Sequence, residues 1–116
     1  MHVSTHIDAA GVAELSLLGR LDVEAHAEFA AAWEAALARP EVRGLTLDMG
    51  DVEYVDSSGL GMLLVLHRAA AARRVDVTLR ACRPHFRQVL RATNFTRLFR
   101  VEDRLCSGID GEEGTR

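Results

Sequence analysis

The sequence predicts a single α/β domain, with a mixed sheet of four to five strands and helices packed mainly on one face. Three observations point there. Strand-like apolar runs alternate with stretches of helical spacing, and the order opens with two strands in succession. A length of 116 residues leaves room for one core and one layer of helices, with no second folded domain.

Taken in order, residues 3–9 alternate loosely and predict an edge strand. Ala10-Gly11 suits a tight turn, and residues 12–18 give a second strand with Glu14 and Ser16 on its polar side. Gly19-Arg20-Leu21 is expected to leave the sheet, and Asp22 to cap a helix. Beyond it His26, Phe29, Ala30, Trp33 and Leu37 share one helical face, ended by Pro40. Residues 45–49 predict a short strand broken at Gly50-Asp51, and residues 52–55 continue to a turn. From Ser58 to about residue 72 the pattern is helical and apolar on most sides, so this helix is expected to be deeply buried. Residues 75–80 alternate cleanly as a strand. Pro84 opens a last helix, with Phe86, Val89 and Leu90 inward and Arg83, Arg87 and Arg91 on another side. Asn94 is a candidate C-terminal cap, and Phe95, Leu98 and Phe99 are expected core anchors before a final turn or short strand. The folded domain is expected over residues 1–105 and a flexible acidic tail over 106–116.

Composition narrows the function. Net charge is −3, so the average surface does not invite nucleic acid. All 14 basic residues are Arg. Residues 1–67 are acidic and residues 68–104 strongly basic, which reads first as solvated helical faces and second as a patch for an acidic partner or phosphates. Cys82 and Cys106 have no metal-binding or disulfide-scaffold spacing, consistent with a reducing compartment. The start of the chain lacks a secretion-signal pattern, and the longest apolar run is too short to span a bilayer. A cytoplasmic protein without membrane insertion is expected.

The chemistry concentrates in Val55-Asp56-Ser57-Ser58-Gly59-Leu60-Gly61, at the switch from strand to helix. Hydroxyls there serve as a helix cap, as a phosphate acceptor or as a weak nucleophile. In the architectural reading Ser57 or Ser58 caps the helix, Asp56 does similar work from just outside the first turn, and Gly59 and Gly61 bring the helix close to the sheet. In the switch reading a phosphate on Ser57 faces free amides at the positive end of the helix. The enzyme reading is weakest. No Gly-x-Ser-x-Gly elbow is present, the chain has no Lys for a phosphate loop, and the five His show no metal spacing. No catalytic residue, metal or cofactor is therefore expected.

Several segments together resemble a STAS domain of the anti-anti-sigma factor (anti-sigma factor antagonist) family. They are Gly19-Arg20-Leu21-Asp22, residues 45–49 leading into Tyr54-Val55-Asp56-Ser57-Ser58-Gly59-Leu60-Gly61, Arg83-Pro84, and Leu90-Arg91-Ala92-Thr93-Asn94-Phe95. The similarity spans roughly residues 3–104. The resemblance implies a non-enzymatic α/β module that captures an anti-sigma factor/serine kinase and releases it once phosphorylated, with a serine phosphatase restoring the first state. It implies Ser57 as the phosphoacceptor and a partner surface formed by Asp22, Asp56, Ser57, Ser58, Gly59, Leu60, Gly61 and Met62. Asn94 stands where family members often have Gly. The alternatives are a STAS adaptor subunit of a stressosome or lipid-transport assembly, and an anionic small-ligand-binding domain gripping through Arg83, Arg87 and Arg91.

Overall fold

The computed structural model describes residues 1–102, which form one five-stranded sheet in the order β1-β2-β3-β4-β5. β1 (His2–Ile7) and β2 (Val12–Leu21) make an antiparallel hairpin. Its turn is held by the Asp8 carboxylate, which accepts from the Ala10 and Val12 amides at 2.9 and 3.0 Å. Gly11 sits at φ +87°, and a Cβ there would also lie 2.5 Å from the Glu41 carbonyl oxygen, so the turn needs glycine on two counts. β3 (Gly44–Val55), β4 (Asp76–Arg80) and β5 (Arg100–Glu102) follow in parallel register.

Two strands run further than the sequence suggests. β2 continues through Gly19-Arg20-Leu21 instead of leaving the sheet, and β3 is unbroken across Gly50-Asp51. The two departures have one cause. Ser16 pairs with Asp48 and Leu18 with Asp51, so β3 carries an extra residue there, and it gains another before Arg20 pairs with Tyr54. The Asp48 carboxylate accepts from the Gly50 amide at 3.0 Å and pins the first of these bulges. Polar and glycine residues that read as a break are the bulge itself.

The core follows from the alternation of the strands. Leu15, Leu47, Leu79 and Val101 stand in one register row under the helices, and the three leucines are fully buried. The next row, Ser16, Asp48, Arg80 and Glu102, points to the other face, where none of the four is buried. On that face Arg80 is ion-paired to Glu14 and lies 3.9 Å from Asp48. The helices cover only the apolar face, as expected. α1 (His26–Leu37) buries Phe29, Trp33, Ala36 and Leu37, and α2 (Ser57–Ala72) buries Gly59, Met62, Leu63, Leu66 and Ala70. Each large apolar side chain buried this way contributes about 1.5–3 kcal/mol.

α2 is not buried on most sides: Val65 is 57% exposed and Leu64 half-buried. The layer above the sheet is one helix thick, so the outward stripe of α2 has nothing over it. α3 (Pro84–Ala92) buries Phe86 and Leu90, has Pro84 in its first turn, and is followed by Asn94 in the left-handed conformation at φ 62°. Of the expected anchors Phe99 is buried and Phe95 half-buried, while Leu98 is 38% exposed. Cys82 is buried. Cys106 and the expected tail over 106–116 lie outside the described residues.

Candidate functional site

Parallel strands β2 and β3 end side by side, and each hands over to a helix through an aspartate. After β2, Asp22 caps a 3-10 turn (Val23–Ala25): its Oδ1 accepts from the Glu24 amide at 3.1 Å. After β3, Asp56 caps α2: its Oδ1 accepts from the Gly59 amide at 2.9 Å. The Asp56 amide donates to the Leu21 carbonyl at 3.4 Å, which ties the two junctions together. Asp22 and Asp56 are thereby brought to one edge of the molecule.

Asp56, and neither serine, is the N-cap of α2. Ser57 is the first residue of the helix and is exposed, as is Ser58. Among the described residues no hydrogen bond engages the Ser57 hydroxyl. That atom points into water at the end of α2 where partial positive charge collects.

The two glycines of the segment do different work. Gly59 is buried, and a Cβ there would sit 2.3 Å from the Leu21 carbonyl oxygen and 2.9 Å from a methyl of Val55. Only glycine lets α2 start this close to the end of β2. Gly61 is exposed, and a Cβ there would meet nothing within 4 Å, so it does not bring the helix to the sheet. Of the expected partner surface Ser57, Ser58 and Gly61 are exposed, Asp22, Asp56 and Leu60 are half-buried, and Gly59 and Met62 are buried.

Sequence reasoning missed the groove beside this edge. It runs between α1 and α2, has a volume of about 340 Å³, and is walled by Val23, Phe29, Trp33, Met62 and Val65. Ser58 and His26 are the polar residues on its lining, and Gly61 forms part of its mouth. Val23 is 69% exposed. An apolar residue directly after a capping aspartate, where polar residues usually stand, was the signal available in the sequence.

Local charge is acidic, from Asp22, Glu24 and Asp56. Arg20 is committed nearby: its Nε lies 3.3 Å from the Asp22 carboxylate, and its guanidinium lies 4.4 Å from the centre of the Tyr54 ring. His67 packs edge-on against Phe99 at 5.5 Å, away from the serines. No group of three His, Cys, Asp or Glu among the described residues is arranged to hold a metal, and no described helix is long and apolar enough to cross a membrane. The three arginines at the start of and along α3 point to two places. Arg83 turns back to the Gly50 carbonyl at 3.1 and 3.2 Å, while Arg87 and Arg91 line a separate recess.

The family model described as "Mlab, STAS domain" matches residues 3–101. A STAS-domain containing protein of Pseudomonas aeruginosa is 36% identical over 87 residues, covering 75% of this chain and 84% of that protein. Among solved structures, the anti-sigma factor antagonist SpoIIAA in its unphosphorylated form superposes with a TM-score of 0.65 at 20% identity, over 83% of this chain and 98% of that one. The phosphorylated form of SpoIIAA, from Bacillus, gives 0.68 at 20% identity over 86% and 90%. A sulfate transporter family protein of Wolinella succinogenes gives 0.72 at 16% identity over 86% and 82%. At these identities the solved structures speak for the fold.

Proposed function

This chain belongs to the STAS domain family, and from that premise we propose that it is an anti-sigma factor antagonist switched by phosphorylation of Ser57. The observation that carries the reading is the division of labour at the start of α2. Asp56 satisfies the helix end, which leaves the Ser57 hydroxyl exposed and without structural duty. A phosphoryl group on that oxygen adds roughly −1.5 to −2 charges. It arrives beside Asp56 and on the acidic edge, while the fold beneath needs no rearrangement to receive it.

In this reading the unmodified protein holds an anti-sigma factor that is also a serine kinase, through Asp22, Asp56, Ser57, Ser58 and the start of α2. The kinase supplies nucleotide, metal and transfer chemistry, so this chain is a substrate and not an enzyme. Phosphorylation puts charge and bulk into the contact and releases the partner, and a serine phosphatase in the cytoplasm resets it. Incubation with the cognate kinase and ATP, followed by intact-mass measurement, tests the assignment. One added phosphate that disappears in Ser57→Ala is expected, and a phosphate that persists in that variant removes Ser57 from the role.

A second reading, a non-switching STAS adaptor subunit of a stressosome or lipid-transport assembly, draws support from the fold relative of the sulfate transporter family. Genes for transport subunits beside this one, in place of an anti-sigma kinase, would move the assignment there.

A further inference from the structure

We propose that the groove between α1 and α2 is a slot for a single apolar side chain carried on a basic helix of the partner protein, with Gly61 as the open side of the slot. The proposal rests on reading this edge as the partner-binding face, and it names the chemistry that the face selects.

Gly61 carries the argument. Glycine is among the poorest residues for a helix interior, and it is tolerated where a neighbour comes too close for a side chain. Gly59 has such a neighbour in the Leu21 carbonyl; Gly61 has none, since the space above it is empty for 4 Å. Nothing within the described domain asks for glycine at that position. What the missing side chain does is keep open a groove whose walls are Val23, Phe29, Trp33, Met62 and Val65. Val23 and Val65 are the most exposed large apolar residues of the described domain, at 69% and 57%, and both line it. Filling it with one leucine-sized or aromatic group would take both out of water.

Charge selects the carrier. Arg20 offsets the charge of Asp22, with which it is paired, so the rim's excess negative charge comes from Glu24 and Asp56. Arginines or lysines around an apolar anchor complement this rim and speed the encounter. Ser57 directly precedes Ser58 of the lining and, as the proposed acceptor, must approach the kinase's nucleotide, so a phosphate there adds bulk beside the slot and repulsion toward the nucleotide's phosphates. The slot thus sets what binds, and the modification sets whether it can seat.

Trp33 is the only tryptophan of the chain and lines the groove, so its emission reports occupancy directly. The protein is titrated with a short Lys/Arg-rich helical peptide bearing one central Leu, with the same peptide bearing Ala there, with a Glu-rich version keeping the Leu, and with decanoate. A saturable shift of Trp33 emission by the basic Leu peptide is expected, with affinity at least roughly tenfold weaker for the Ala and Glu-rich versions. Gly61→Leu is expected to lose binding by at least roughly tenfold while its melting temperature does not fall. Equal affinity for the Glu-rich peptide, undiminished binding by Gly61→Leu, a response to decanoate alone, or no response to any probe overturns the slot. Phosphate transfer to Ser57 is read separately by mass, so the slot and the switch fail independently.

Discussion

The junctions after β2 and β3 are built on the same frame and dressed differently. In each, an aspartate accepts a hydrogen bond from a backbone amide two or three residues on, and the third residue after it is small and buried: Ala25 in one, Gly59 in the other. The two residues between are exposed in both, Val23-Glu24 in the first and Ser57-Ser58 in the second. Cap and small residue are what the fold requires. The exposed pair is not, so its identity, apolar and acidic on one side and hydroxylic on the other, is free to serve the docking proposed above.

Substitutions at paired positions should separate the two layers, and the largest effect belongs to the frame. Gly59→Ala drives a Cβ into the Leu21 carbonyl and should cost about 1–3 kcal/mol or more, whereas Ala25→Gly should cost only about 1 kcal/mol. Urea midpoints of the two variants check this, and equal losses would remove the claimed close contact. Next is the dressing: Ser57→Asp should weaken partner binding by roughly tenfold or more, about 1.4 kcal/mol, and Ser57→Ala by much less. Calorimetric titration with the cognate anti-sigma kinase measures both, and matched affinities would dismiss repulsion as the switch. Asp is a partial mimic, so the phosphorylated protein belongs in the same series.

A smaller effect compares the caps. Asp56→Ala should cost about 0.5–2 kcal/mol because it opens a 16-residue helix, and Asp22→Ala should fall at or below the lower end because it caps a single 3-10 turn. Thermal unfolding distinguishes them, and a larger loss at Asp22 would reverse the ranking. Smallest in stability is Val23→Ser, expected within about 0.5 kcal/mol of the parent, yet weaker in partner binding. A variant that unfolds early would mean that Val23 supports the core instead of facing a partner.

Much of the domain was legible from apolar spacing, because alternation and helical period are properties of the chain before it folds. The hairpin at Ala10-Gly11, Pro84 in the first turn of α3 and the left-handed Asn94 all follow from local backbone preference, whereas Asp22 caps a 3-10 turn ahead of α1 and not α1 itself, whose N-cap is Ala25. What escaped depends on a neighbour. Gly50-Asp51 reads as a break until β2 is laid beside it and the extra residue becomes a bulge. The α2 stripe ending in Val65 reads as buried until the number of layers is known. Ser57 and Asp56 are both good caps in sequence, and only the geometry of the turn assigns the bond to Asp56. Gly59 and Gly61 look alike for the same reason: one lies against Leu21 and the other opens onto a groove.

Because a carboxylate one residue upstream secures α2, position 57 carries no mortgage to the fold. Descendants of this chain are free to try alanine, threonine or an acidic residue there and still reach the same native state. Under the proposed switch, a lineage can thus retire a signal, lock it on or rewire it to another enzyme in a single mutational step, without first acquiring a compensating change elsewhere.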